Sequence, residues 1–361
     1  MTFTTRQKPQ ISFSRLLGYY TRDFRLARAE AATDYLTLIC FNSDLPGSIG
    51  QSQVSVCHEA LKELVLETRE FAMLLGDIRS DGTRVKGAIE QRLRLISLQN
   101  QDDFLRTLTI QAAAVADDSG RTTDAVLLYH LAEEYDNVVA IINRSLSEAL
   151  SVELGQDPMR LQPLKPRTIE NSQQVNQQSN GQQQQQRQQQ QPESSLSLTS
   201  VDDPAVLARN MITLYNANAL YFRKIRQPNR EACGTLIRMS TIKDFVEAGR
   251  WAEAIDLIES LSLLPLRANG NVSVIRASAQ AFNSLAPVVA RNIGNLLMWT
   301  ITCCGRQRSV LRSSAFQANK PMAERLLRIA QDLMVFAGLV RYKLPPDVYE
   351  ALAAAGNDVG Y

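Results

Sequence analysis

Two histidines, five cysteines and four pairs of adjacent acids are the residues of this chain whose chemistry could be more than structural. His58 is followed by Glu59, the start of a zinc-binding H-E-x-x-H, but position 62 is Lys62 and the second histidine is missing. His130 is followed by Glu133 and Glu134 with no histidine nearby, and the cysteines are not at ligand spacing, so no zinc site forms by pattern. Cys40, Cys57, Cys233, Cys303 and Cys304 are odd in number, include one adjacent pair and contain no C-x-x-C. A disulfide framework is therefore not expected, a reducing compartment is, and each thiol reads as a small buried hydrophobe. The acid pairs are Asp102-Asp103, Asp117-Asp118, Glu133-Glu134 and Asp202-Asp203. Neighbours on a helix diverge by about 100°, so these pairs read as caps and solvated turns and not as acid/base couples. Phosphate-binding glycine loops and the G-x-S-x-G elbow do not occur. No catalytic, cofactor-binding or metal-binding residue is assigned, no cofactor is expected, and the chain does not read as an enzyme.

One stretch suggests binding. ALYFRKIRQPNR, residues 219–230, mixes Tyr221 and Phe222 with Arg223, Lys224, Arg226 and Arg230, and a second basic cluster has Arg306, Arg308 and Arg312. Aromatic and basic residues together can hold single-stranded nucleic acid. The plainer reading is a helix end whose cations meet the negative dipole terminus, broken by Pro228. Nucleic acid is accordingly not the expected partner; a helical-repeat nucleic-acid-binding module is the alternative function. Salt-sensitive affinity lost on replacing Arg223, Lys224 and Arg226 by Ala would favour that alternative, and salt-insensitive peptide binding the scaffold reading given below.

The elements behind these residues read as helix after helix. In DAVLLYHLAEEYDNVVAIINRSLSEAL, residues 124–150, Leu128, Leu131, Ala132 and Tyr135 fall at i, i+3, i+4, i+7, and Val138, Ile142, Leu146 and Leu150 continue at i+4 steps. A short turn at Tyr135–Asn137 makes an antiparallel hairpin that needs neighbours to cover its other faces. TIKDFVEAGRWAEAIDLIESL, residues 241–261, repeats the grammar: Ile242, Phe245 and Val246, a turn at Gly249, then Trp251, Ala254, Ile255 and Ile258. Its A-G-R-W-x-x-A resembles the turn of a tetratricopeptide repeat, with no companion 34 residues away. Phe245 and Trp251 read as packing residues, and no partner-binding residue is assigned. Asp203-Pro204 marks a helix start. Asn319 marks another, with Leu326, Ile329, Ala330, Leu333 and Ala337 inward, a Glu324–Arg328 pair and a stop at Gly338. Period-2 alternation is nearly absent, as is an Asn-Gly hairpin turn. The expected fold is all-α, an irregular α-solenoid of stacked antiparallel helices.

Residues 171–192 contain 13 glutamines in 22 positions. They cannot bury enough apolar surface to offset the entropy of ordering, so 158–202 is expected to be a disordered insertion or linker. It separates helical segments at 1–157 and 203–361. The first carries 16 Lys/Arg against 22 Asp/Glu and residues 201–361 carry 19 against 13, although the whole chain is only +2. A chain so polarised can stack head to tail or meet partners of opposite sign at its two ends. The opening residues lack a signal-peptide core, and IGNLLMWTITCC at 293–304 is too short to span a bilayer. A soluble intracellular protein is expected, with no transmembrane segment and any membrane association indirect.

LGYYTRDFRL at 17–26, the 124–150 stretch, Leu214 to Leu266 and the ending KLPPDVYEALAAAGNDVGY together resemble the nucleoporin-interacting-component family, the inner-ring scaffold nucleoporins of the nuclear pore complex. The resemblance covers most of the chain outside the glutamine tract. It implies an α-solenoid without catalytic residues, located in the nucleus at the pore, supporting protein and mRNA transport. Its implied partners are other nucleoporins, namely linker segments and inner-ring scaffold proteins. Family members are much longer, and their segment that recruits the channel trimer has no counterpart here. The chain looks like the C-terminal half of a solenoid: a fragment, a truncated reading frame or a shortened paralogue. An exposed N-terminal edge is then expected to be apolar and to limit solubility.

Overall fold

The computed structural model describes residues 12–43, 48–92, 101–162, 199, 201–313 and 320–357. Among them are seventeen α-helices, one 3-10 turn and one two-stranded antiparallel hairpin. The fold is all-α. Two compact units divide the chain: Met1–Val138, Leu161–Asp202 and Thr213–Asn218 form one, and Val139–Arg160, Asp203–Ile212 and Ala219–Tyr361 the other. The glutamine run expected to be disordered lies outside the described residues.

In the first unit α1 (Phe13–Arg22), α2 (Ala29–Thr37) and, after a 3-10 turn at Leu38–Asn42, α3 (Ser48–Thr68) pack on one another. Then come α4 (Phe71–Leu74), β1 (Gly76–Ile78), β2 (Arg84–Lys86), α5 (Ala88–Gln91), α6 (Gln101–Asp118) and α7 (Thr122–Leu131). α6 packs against both α3 and α7. α8 (Tyr135–Leu150) starts in this unit and continues in the second, and α9 (Pro204–Ala217) starts in the second and ends in the first.

The second unit adds α10 (Ala219–Arg223), α11 (Gln227–Glu247), α12 (Trp251–Leu261), α13 (Val272–Phe282), α14 (Pro287–Ala290), α15 (Ile293–Ser313), α16 (Lys320–Leu339) and α17 (Pro346–Asn357). Packing runs in series: α11 on α12, α12 on α15, α15 on α16, α16 on α17. Helices joined by a minimal turn and packed together run antiparallel.

The periodic stripes fold as read, with adjustments. Val138, Ile142, Leu146 and Leu150 are all buried on α8. Leu326, Ile329, Ala330, Leu333 and Ala337 are buried on α16. α7 differs, because Thr123 to Leu128 are buried in succession; a helix enclosed on every side shows no stripe. The turn expected at Tyr135–Asn137 lies at Ala132–Glu134, and Tyr135 opens α8. Glu133 there takes a left-handed φ of 61°, and the Glu134 N–H donates to Tyr129 O at 2.9 Å.

The same ladder closes two other turns. Gly120 (φ 70°) precedes Arg121, whose N–H donates to Ala116 O, and Gly249 (φ 72°) precedes Arg250, whose N–H donates to Phe245 O, both at 2.9 Å. This six-to-one bond satisfies a helix-end carbonyl and needs a left-handed residue. The turn at Gly249, which looked solitary at a 34-residue period, therefore has a companion in the first unit: G-R-T-T-D-A at 120–125 against G-R-W-A-E-A at 249–254. Both arginines pair with the acid three residues on, Asp124 and Glu253. Each also lies over an aromatic ring, Phe71 at 5.5 Å and Phe245 at 4.3 Å.

The hairpin was not expected. Its signal is Asp81-Gly82: the Asp81 carboxylate accepts from the Thr83 N–H at 2.8 Å and hydroxyl at 2.7 Å, and Gly82 has φ 82°. Strands of three residues are too short to display a period of two. Gly87 is needed for a different reason, since a Cβ there would stand 2.3 Å from Leu74 O.

Two helix ends test the reading of boundaries. Asp203 caps α9, accepting from the Ala205 N–H at 2.7 Å. Asn319 lies outside the described residues, and α16 continues past Gly338 to Leu339. Among the described residues Glu324 and Arg328 form no ion pair, whereas Arg325 reaches Glu259 at 3.1 Å.

Candidate functional site

The residues with chemical potential are each built into packing. His130 sits at the end of α7, where its Nδ1 and the Tyr215 hydroxyl share a hydrogen bond of 3.0 Å and the two rings stack. Burial, with Arg84 nearby, pushes its pKa down to about 4, so the imidazole is neutral. His58 stacks on Phe104 with centroids 4.2 Å apart, and burial lowers its pKa as well. All five cysteines are buried free thiols. Burial raises Cys233, Cys303 and Cys304 to about 12, and the hydrogen bond with Cys40 raises Cys57. Thiols held protonated are poor nucleophiles. Among the described residues Asp124 is the most buried carboxylate, at 1% exposure. Burial lifts its pKa to about 6 even though the Arg121 guanidinium pairs with it, and neither oxygen receives a well-formed hydrogen bond.

Around α8 the polar groups act as ties between helices, a role no motif announces. Ser147 Oγ donates to Val288 O at 2.8 Å and accepts from Asn292 Nδ2 at 2.8 Å. Asn143 Nδ2 donates to Asn229 O, and Asn295 Nδ2 to Leu150 O, both at 2.9 Å. Lys243 Nζ donates to Val152 O at 2.7 Å. Buried amides and hydroxyls cost free energy unless paired, so each tie fixes one register of packing. Beside Lys243 a cavity of about 170 Å³ is lined by Arg160, Asp203, Arg209, Asp244 and Glu247 among others. Arg209 and Asp244 face each other across 3.7 Å. Charges of both signs there neutralise one another, which suits a solvated cleft more than a reaction centre.

Among the exposed surfaces of the described residues, two bear on the sequence reading. On α1, Leu17 and Thr21 face inward while Phe13, Leu16, Tyr19 and Tyr20 are exposed beside Arg15 and Arg22, with Tyr20 edge-on to Phe24 and Tyr35. The basic stretch at 219–230 forms α10, the following link and the first turn of α11. Pro228 lies in that first turn, so it starts a helix instead of ending one. Arg226 is the N-cap of α11, where a cation gains nothing from the dipole, so the helix-end explanation covers Arg223 and not the whole cluster. Of the second cluster, Arg308 is buried on α15, so the three arginines do not share one surface.

Helices packed in series, with polar side chains spent on ties and caps, define the class of helical scaffold proteins. The chain belongs to the Nup93/Nic96 family, whose model matches residues 1–351. It is 52% identical to nucleoporin NIC96 of Chaetomium thermophilum over 99% of this chain and 32% of that protein. It is 34% identical to nucleoporin NIC96 of Saccharomyces cerevisiae over 97% of this chain and 37% of that one. The crystal structure of Chaetomium thermophilum Nic96 SOL superposes with a TM-score of 0.88, covering 98% of this chain and 48% of the solved one. The fold is thus that of an irregular α-solenoid. The chain spans about a third of the length of these curated relatives. No helix among the described residues is long and apolar enough to cross a membrane.

Proposed function

We propose that this chain is a structural scaffold segment of the nuclear pore complex inner ring, working in the nucleus at the nuclear envelope. Its duty is to bind other nucleoporins, both linker segments and neighbouring scaffold proteins, and so to support protein and mRNA transport; it is not an enzyme. The observation that carries this reading is 52% identity sustained over 99% of the chain to a nucleoporin. The series packing of α11, α12, α15, α16 and α17 supports it, because stacked helices leave extended faces for peptide segments.

Within this reading, residues 158–202 are an insertion between the helical segments 1–157 and 203–361. The Leu161 N–H donates to Asp202 O at 2.6 Å and Thr123 Oγ1 to Gln162 O at 2.7 Å. A stretch whose ends are tied side by side is suited to be a loop more than a spacer, and lengthening a loop costs little.

Pull-down from nuclear-envelope extract with residues 1–361 as bait is expected to bring down linker nucleoporins, and a fluorescently tagged chain is expected to mark the nuclear rim. Capture of no nucleoporin together with a diffuse signal would remove the proposal.

A further inference from the structure

α10 is unusual among the helices because none of its residues is buried. Leu220 is 68% exposed and Phe222 41% exposed. Arg223, Lys224 and Arg226 are exposed beside them, and the segment is anchored by Ile225, which is buried. The segment itself is one-signed: from Leu220 to Arg230 there are four basic residues, Arg223, Lys224, Arg226 and Arg230, and no acid, the next acid being Glu231, which accepts from the Gln227 amide at 2.7 Å. This surface lies well inside the chain, flanked on both sides by packed helices.

We propose that α10 and its basic collar form a docking surface for an anionic lipid bilayer, with Leu220 and Phe222 entering the headgroup boundary. Exposed aliphatic and aromatic side chains next to exposed Arg and Lys match such a surface on both counts, apolar contact and charge. A nucleic acid fits less well. Successive bases need successive free ring faces, yet the Arg230 guanidinium already covers one face of Phe222 at 4.1 Å and Tyr221 is half-buried. Leu220, the most exposed apolar side chain here, offers a base nothing to stack on. The proposal replaces the expectation that membrane association is only indirect.

Sedimentation of the full chain with vesicles tests it. The chain is expected to pellet with vesicles of phosphatidylcholine and phosphatidylserine and to stay in solution with phosphatidylcholine alone. Leu220→Ser, which leaves net charge unchanged, and Arg223→Glu are each expected to weaken binding by about tenfold. The circular-dichroism melting midpoint should be unaltered, because α10 buries no side chain. The double variant Leu16→Ser/Tyr19→Ser on α1 is expected to bind as the parent does. No pelleting on anionic vesicles overturns the proposal, as does loss of binding in the α1 variant with none in the α10 variants. It is likewise overturned if Leu220→Ser binds vesicles normally while Arg223→Glu abolishes anisotropy with a single-stranded oligouridylate, which identifies a nucleic-acid surface. Self-association in sedimentation velocity that Leu220→Ser removes, without vesicle binding, identifies a second copy as the occupant.

Discussion

Asp124 is a buried carboxyl whose titration is linked to folding. Burial raises its carboxyl pKa to about 6 from an ordinary value of 3.8, against the pull of Arg121 and Arg69. A carboxyl raised on folding binds more protons in the folded state than in the unfolded state between those values. Its contribution to stability therefore falls as pH rises from about 4 to about 6. His130 acts in the opposite sense: its folded pKa is depressed to about 4, so its contribution falls as pH drops from about 6.5 toward 4. The two slopes offset each other in the parent. Asp124→Asn removes one of them, and the variant's stability relative to the parent is expected to be roughly 2 kcal/mol more favourable at pH 7 than at pH 4. Urea denaturation at the two pH values measures this, and equal differences at both would show that the carboxyl is not perturbed.

At the scale of elements, the three turns closed by a six-to-one bond make a matched set. Gly249 occupies its left-handed position without cost and Glu133 occupies the same one with a Cβ. Gly249→Ala is expected to lose about 1 kcal/mol, and Glu133→Gly to change stability by less than that or to gain slightly, because only the side-chain residue strains this conformation. Melting midpoints that move the opposite way would contradict the turn geometry. α8 is held by packing as well as by its ties. Ile142 is buried, and Ile142→Ala is expected to cost about 2–5 kcal/mol in chemical denaturation.

For the molecule as a whole, the surface matters as much as the core. Leu16 and Tyr19 already stand in water on α1, so replacing both with Ser removes no core packing. The double variant should stay monodisperse to higher concentration by light scattering, with its melting point within about 0.5 kcal/mol of the parent in stability terms. An unchanged aggregation threshold would show that this apolar face is not what limits solubility. Polarised charge belongs to the same scale: the acidic and basic halves nearly cancel in total, and a sum of +2 hides the acid-free run from Pro204 to Arg230.

What the sequence determined alone was the class of fold and the helices with clear stripes. Val138, Ile142, Leu146 and Leu150 had to share a face because 3.6 residues make a turn, and Asp203-Pro204 had to begin a helix because only its side chain and a missing N–H suit that position. The family, too, was legible from long matching stretches. The enclosure of α7 was not, since a fully surrounded helix has no polar side to set its phase. Nor was the hairpin, whose strands are shorter than any detectable period. The companionship of the turns at Gly120 and Gly249 rests on a local Gly-Arg-x-x-acid-Ala pattern that follows no repeat length, so a search by period misses it. Tertiary structure alone decided that Ser147, Asn292 and Asn295 tie helices together and that Arg308 is buried while α10 stands clear of the core. Such outcomes depend on which distant residues arrive alongside, and a local pattern of residue types holds no information about that.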